Sequence, residues 1–569
     1  MACLIAAPCS GSGKTLLSLC LTALAQERGV TLQPFKVGPD YLDPQLLSAV
    51  AGRPCRNLDT LLCGPDWVRR CFLWHGSRAE QVLVEGVMGL FDGRGPSSDG
   101  SSAEVAALLG LPVVLVVEAS RQAGSLAALV RGFRDHGPPA VRLAGVVLNR
   151  VGSERHHALL REALEAIAVP LLGVLPQHAS LELPSRHLGL LPPEELVDLG
   201  ERRRQWAQLA RRHLDLGLLE PLLAPPVAGA AAALDPIAWT LAQAAPSAVG
   251  CAPNGRDPAP RRSGGEAAVR DPAVVDRGVL DPAVVDRGLL DPAVLHPADQ
   301  ALAALEAAGA SGSQPPLTVA IASDRAFHFR YPEAEELLRA VGLDAQPWSP
   351  LADEPLPPGC RAVILPGGYP ELHAAQLAAS RRSLGALTAA TAAGLPILAE
   401  CGGLLLLGEQ LHDAHDQPQP MAGVLPFSAR RGALSLGYRQ AEAISDGLLV
   451  RRGELLAGHE FHRWQLLEAH GAAQAEATDP AGVAGPAGVA ANQRNERMTA
   501  ARRLWQLEGW GSPRRPEGWT TTHIHATWLH LHWAGCPVIP WRLAAASASA
   551  APLPRNAALS IPRPPAQPR

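Results

Sequence analysis

PILAECGG, residues 396–403, decides how the second half of this chain is read. Pro396 to Ala399 predict a short buried strand, and Leu404 to Leu407 open an apolar helical run. Cys401 stands at the turn between them, where an enzyme holds a nucleophile. Gly402 and Gly403 let the backbone turn tightly just after the sulfur. Free N–H groups and the dipole at a helix start favour a thiolate, the attacking form. A buried structural cysteine is the common alternative for a free thiol. The elbow alone does not separate the two readings.

A nucleophilic cysteine needs a base and an oxyanion hole. PGGYPE (366–371) follows an apolar run and offers consecutive glycines whose N–H groups can point at a carbonyl oxygen. HIHATWLHLHW (523–533) supplies His523, His525, His530 and His532, and GHEFH (458–462) supplies His459 and His462. A zinc reading competes, but HEFHR puts the second histidine one place too early for HExxH, and no third ligand stands at a fixed spacing. Any single histidine here also fits simple packing.

The first half carries a different signature. APCSGSGKT (7–15) follows a strand-like run and opens a helix, the context a P-loop needs. Backbone N–H groups of Ser10, Gly11, Ser12, Gly13 and Lys14 would cradle phosphates. Lys14 would reach the β- and γ-phosphates, and the Thr15 hydroxyl would hold Mg²⁺. Pro8 replaces the first glycine of the usual pattern. In EGVMGLFDG (85–93), Glu85 ends an apolar run where a carboxylate can face Mg²⁺. In KVGPDYLDP (36–44), Lys36, Asp40 and Asp43 stand at the end of another strand, where open α/β sheets bind ligands.

Around these motifs, strands CLIAA (3–7), QVLVE (81–85), PVVLVV (112–117), LAGVVL (143–148) and LLGVL (171–175) alternate with helices over 16–26, 122–135 and 154–167. That alternation predicts a parallel sheet covered on both faces. A second α/β pattern runs through LTVAIA (317–322), PEAEELLRAVG (332–342) and RAVILPGG (361–368). Four spans follow: a P-loop domain over 1–225, a low-complexity linker over 226–315, a second domain over 316–545, and a Pro/Ala tail over 546–569. The linker holds the repeat DPAVVDRGVL (271–280), DPAVVDRGLL (281–290), DPAVLHPADQ (291–300), and 470–518 reads as an insertion. At 569 residues, at least two domains are expected. The formal charge of −4 leaves no basic footprint for nucleic acid. Ten cysteines without a CxxC pair fit a reducing cytosol. No apolar run is long enough to span a bilayer, and MACLIAAPC has no basic leader, so a cytoplasmic location is expected.

With these residues in view, the chain resembles the cobyrinic acid a,c-diamide synthase family of corrinoid biosynthesis. SGSGKT (10–15), KVGPDYLDP, NLD (57–59), EGVMGLFDG, GVVLNRV (145–151), LPSRHLGL (183–190), DRAFHFRY (324–331), SPLAD (349–353), LPGGYPE, AECGG, LGYR (436–439), GHEFH and LHLHW run in family order. LPGGYPE and AECGG recur in the sister cobyric acid synthases; LPSRHLGL, GHEFH and LHLHW favour the diamide enzymes. Arg330 and Trp533 replace aromatics of the family pattern.

The resemblance implies a P-loop synthetase domain joined to a class I-type glutaminase domain. Cys401 would attack the glutamine carboxamide, with His530 as its base and His532 as second choice. The glutamate that common class I enzymes carry two residues after that histidine is His532 here, so the third role stays unassigned. Gly367, Gly368 and Gly402 are oxyanion-hole candidates. Lys36, Asp40, Tyr41 and Asp59 would face substrate and phosphate, and Thr15, Asp40 and Glu85 would hold Mg²⁺. ATP would phosphorylate the a- and c-acetates of cobyrinic or hydrogenobyrinic acid, and ammonia from glutamine would displace the phosphate. No nucleic-acid or membrane partner is expected, and the chain would be a monomer or homodimer. Two rivals are a cobyric acid synthase-like enzyme and a P-loop switch ATPase with an inert glutaminase-like domain. Switch ATPases usually carry an extra lysine where this chain has Cys9.

Overall fold

The computed structural model describes residues 2–177, 185–186, 189–190, 192–196, 198–227, 234–244, 315–468 and 501–553. In the first half, seven strands pair in the order Arg56–Leu58, Leu32–Val37, Gln81–Glu85, Cys3–Ala6, Val113–Glu118, Leu143–Val151, Leu171–Pro176. Every neighbouring pair is parallel. Runs such as VVLVVE are apolar almost throughout because helices cover both faces. One face packs the helix Lys14–Glu27, buried at nearly every position through Ala25, against Leu199–His213 through Trp206, Ala207 and Ala210. The other packs Trp67, Phe72 and Phe35.

The second sheet begins parallel, in the order Leu343–Trp348, Leu317–Ala322, Ala362–Leu365, Ile397–Glu400, Ile524–Thr527. It continues antiparallel through Ser512–Thr520, Arg502–Gly509 and Phe427–Ala443, which pairs in turn with Leu455–Glu468. The stretch 470–518, expected as an insertion, is therefore sheet from Arg502 onward. Trp505 and Leu507 enter the core there, alternating with polar neighbours as an antiparallel strand requires.

The expected linker also contains ordered structure. Pro236–Ala244 is a helix. Its Ile237 packs with Val319, Leu337 and Leu338 of the second half, while Trp239 packs against the first and lies 4.9 Å from the Arg70 guanidinium. The ten-residue repeats at 271–300 and the low-complexity run at 479–490 lie outside the described residues. The tail begins later than expected, since Val538–Ser549 is a helix.

The halves meet along a polar and aromatic seam. Arg56 forks onto Glu336 (2.6 and 2.8 Å) and reaches Glu333 (3.1 Å), and the Tyr438 hydroxyl donates to Asp59 (2.9 Å). Tyr41 and Leu42 cluster with Phe329, Tyr331 and Tyr369.

Candidate active site

Three adjacent parallel strands of the second sheet, Ala362–Leu365, Ile397–Glu400 and Ile524–Thr527, end at one edge. The loop after each supplies one part: Gly367 and Gly368, Cys401, and His530. Cys401 has φ 48° and ψ −112°, and its N–H donates to the Thr527 carbonyl at 2.7 Å. That uncommon backbone for a residue with a side chain is the tight elbow expected from the sequence. The helix behind it is a single turn, Gly402–Leu405.

A Cβ on Gly367 would lie 2.5 Å from His530 Cε1 and 3.4 Å from Cys401 Cβ. The imidazole edge and the cysteine thus flank one gap that only glycine leaves open. A Cβ on Gly402 would lie 2.9 Å from the Gly368 nitrogen, so two of the oxyanion candidates are in contact. His530 is fixed through its backbone, which exchanges hydrogen bonds with His459 (2.9 and 3.0 Å). Among the described residues neither ring nitrogen of His530 has a partner, and the ring packs 5.1 Å from Tyr41.

The electrostatics correct one expectation. Burial, reinforced by Glu371, pushes the Cys401 thiol well up, and the Gly402 N–H opposes this only in part. Burial lowers His530 to about 3. The resting pair is a neutral thiol beside a neutral imidazole, because one turn of helix does not offset the burial of Cys401, a residue only 3% exposed. A thiol in this state would have to give up its proton as it attacks.

The other histidines separate by environment. His532 faces the seam, its Nε2 3.8 Å from Glu333 and its ring 4.2 Å from Tyr331 and 5.1 Å from Trp67. His525 is a core residue against Trp505. GHEFH lies on the strand Leu455–Glu468, so no helical zinc motif forms. His462 stacks on Trp528 at 4.0 Å. Sequence reasoning missed Glu460, fully buried and ion-paired with Arg439 (2.6 Å) and Arg515 (2.5 Å); the next residue, Phe461, sets its carbonyl 3.8 Å from the Cys401 sulfur.

The P-loop closes a second centre. Gly11 and Gly13 adopt φ 81° and 110°, and a Cβ on Gly13 would strike the Asn149 amide at 2.3 Å. Asn149 donates to the Ser12 carbonyl (3.0 Å), a loop support that was visible only as part of GVVLNRV. Lys14 donates to the Met88 carbonyl at 2.5 Å, and burial followed by Lys36 lowers its pKa. Thr15 donates to Glu85 (2.8 Å), and Lys36 bridges Asp43 (2.5 Å) and Glu85 (2.7 Å).

Two assignments shift. Asp43, 3.4 Å from the Thr15 hydroxyl, takes the metal-side place expected of Asp40. Asp40 caps the Leu42 N–H (3.0 Å) and stands 3.7 Å from Lys36. Asp59 caps Leu61 and Leu62 (2.9 Å each) and accepts from the Tyr438 hydroxyl, so its carboxylate serves a helix start and the seam. A helix N-cap claims its carboxylate. Thr15, Asp43 and Glu85, whose Oε2 is buried without a partner among the described residues, form a hard oxygen set suited to Mg²⁺.

Comparisons with known proteins match both halves of the chain. Residues 3–191 match the CobQ/CobB/MinD/ParA nucleotide binding domain and residues 318–537 the CobB/CobQ-like glutamine amidotransferase domain. The chain is 39% identical to the hydrogenobyrinate a,c-diamide synthase of Streptomyces coelicolor, covering 95% of this chain and 96% of that protein. It is 37% identical to the cobyrinate a,c-diamide synthase of Gloeobacter violaceus, covering 94% of each. With a glutaminase elbow and a P-loop on one polypeptide, and likeness that runs through both, the chain belongs to the cobyrinate and hydrogenobyrinate a,c-diamide synthase family.

Proposed function

We infer that this chain is an ATP-dependent carbon–nitrogen ligase of cobalamin biosynthesis, which amidates the a- and c-acetates of cobyrinic or hydrogenobyrinic acid with nitrogen from glutamine. The observation that carries the reading is the pairing of the Cys401–Gly367–His530 centre with the Lys14–Thr15–Glu85 centre in one chain.

At the first centre, the Cys401 sulfur attacks the glutamine carboxamide carbon while His530 takes the thiol proton. The N–H groups of Gly368 and Gly402 receive the oxyanion. His530 returns the proton to the leaving ammonia, and water then releases glutamate from the thioester. At the second centre, Ser10 to Lys14 would hold the ATP phosphates, and Thr15, Asp43 and Glu85 would hold Mg²⁺. The metal, when bound, neutralises charge on the transferring phosphoryl group. A carboxylate is a poor electrophile until its oxygen leaves as phosphate, so phosphorylation precedes attack by ammonia. We place the enzyme in the cytoplasm, as a monomer or homodimer.

The test is to incubate the full chain with ATP, Mg²⁺ and glutamine, offering cobyrinic, hydrogenobyrinic or a later corrinoid acid, and to count amides by mass. Two amides on either of the first two acids are expected. Four amides on the later corrinoid alone would identify a cobyric acid synthase, and no corrinoid amide with any acid would overturn the reading.

A further inference from the structure

One exposed apolar surface has no part in the reaction at either centre. Trp510 and Gly511 form the turn between the strands Arg502–Gly509 and Ser512–Thr520, and Trp510 is 69% exposed. Leu434 and Leu436, on the strand Phe427–Ala443, are 40% and 52% exposed. These three line one open groove of about 440 Å³ together with Pro513, His462 and Arg515. Small-molecule sites are of this size, roughly 300–1,000 Å³. Apolar side chains gathered at one place on a surface mark a binding site, whereas singly scattered ones need no explanation.

The groove borders both halves. His462 on its wall follows Phe461, whose carbonyl stands 3.8 Å from the Cys401 sulfur. Trp510 rests on the first half: a Cβ on Gly95 would lie 2.5 Å from its Cγ. The segment that leads to Gly95 also packs on the P-loop. The Met88 carbonyl accepts from Lys14 (2.5 Å), Leu90 donates to the Ala7 carbonyl (2.9 Å), and a Cβ on Gly89 would lie 2.6 Å from the Pro8 carbonyl oxygen. The polar side of the groove is cationic. Arg515 has a side chain 33% exposed while its partner Glu460 is fully buried, and among the described residues no carboxylate lines the groove.

We propose that this groove seats the corrin ring of the acid substrate, with the Trp510 indole against the macrocycle, Leu434 and Leu436 under its apolar flank and Arg515 at a peripheral carboxylate; the proposal rests on the a,c-diamide synthase reading. The occupant follows from the chemistry of the walls. A corrinoid acid is a broad, partly conjugated, apolar ring fringed with acetates and propionates. It needs apolar cover at its middle and cations at its edge. A conjugated ring gains by stacking on an indole or meeting its edge. Glutamine has no apolar body and is too small to cover Trp510 and Leu436 together. A ring held by Trp510 is also held relative to the P-loop, because one short segment, Met88 to Gly95, touches both.

The full-length enzyme tests this with Trp510→Ser, Leu436→Asn and the conservative Trp510→Phe. Both positions are exposed, so no substitution uncovers core. Binding is read without turnover, by equilibrium dialysis of cobyrinic acid followed through its absorbance, and KM is read for corrinoid, glutamine and ATP. Trp510→Ser weakens corrinoid binding and raises its KM about tenfold or more, and Leu436→Asn about threefold. Trp510→Phe stays within about threefold of the native enzyme, and KM for glutamine and ATP stays within about twofold in every variant. Native corrinoid binding in Trp510→Ser, or an equal loss in Trp510→Phe, would overturn the proposal. So would a rise confined to the glutamine KM, which makes the groove a glutamine site, or an altered sedimentation coefficient, which makes it a contact between copies. If the native enzyme binds the acid but makes no amide from glutamine or ammonium chloride, the failure lies with the functional reading and not with the groove.

Discussion

The two centres handle charge in opposite ways. Next to the Cys401 sulfur, burial favours neutral forms: the thiol is pushed well up, His530 down to about 3, Glu371 up to about 7 and Glu400 up to about 8, while Glu460, one residue before Phe461, stays ionised between Arg439 and Arg515. Around the P-loop, Lys36 and Asp43 stay charged against each other, while burial pushes Asp40 up to about 7. Burial alone would lower Lys36, yet Asp43, Glu85 and Asp40 outweigh it and hold the ammonium well above its usual range. Asp43 is held low in turn by Lys36, against its own burial. The contrast matches the cargo. One centre must release neutral ammonia and the other must bind phosphate oxygens and a divalent cation, so the acids beside the sulfur are held toward neutral and those beside Thr15 are ion-paired.

Substitutions that act on one centre sharpen this contrast. The largest effect is expected for Lys14→Ala, which removes the cation that meets the phosphates. Amidation from glutamine and from ammonium chloride should both fall by about 10³-fold or more; retained turnover with either source would move the ATP site elsewhere. Cys401→Ala should be one-sided. Glutamine-driven amidation should fall to background while ammonium-driven amidation persists within a few-fold, as product mass shows for each nitrogen source. Equal loss of both would make Cys401 a structural residue.

The smallest expected effect is on stability against pH. His530, His532 and His525 are held near 3, below their usual 6.5, so folding weakens as pH falls below about 6.5. Glu371, Glu400 and Glu517 are raised to about 7, 8 and 7, above their usual 4.5. The folded chain then holds more protons than the unfolded one, so stability falls as pH rises through 4.5 toward 8. The two limbs leave a maximum of Tm in mildly acidic buffer, and Glu400→Gln should flatten the alkaline limb. A Tm that climbs steadily from pH 6.5 to 8 would contradict the neutral character of the Cys401 centre.

Much of this was readable in the chain itself. QVLVE became the strand Gln81–Glu85 and LTVAIA the strand Leu317–Ala322, because buried parallel strands are short apolar runs. Cys401, Gly367 and the P-loop announced themselves through glycines whose missing Cβ atoms the structure needs. Less legible was whatever depends on partners distant in sequence. Asp59 reads as a candidate ligand until the Leu61 and Leu62 amides are seen to claim it. Asp40 and Asp43 are equivalent on paper, and only the approach of Thr15 distinguishes them. The dipole argument for a Cys401 thiolate failed because burial, a property of the folded whole, exceeds what one helical turn supplies. The strand Arg502–Gly509 was hidden by neighbouring low-complexity sequence.

The helix Pro236–Ala244 is an anchor common to both halves. It pins the chain to both halves before the decapeptide repeats begin, and Leu317 re-enters the second sheet after them. Among the described residues, the contacts that join the two halves thus flank the repeats DPAVVDRGVL and DPAVVDRGLL on both sides.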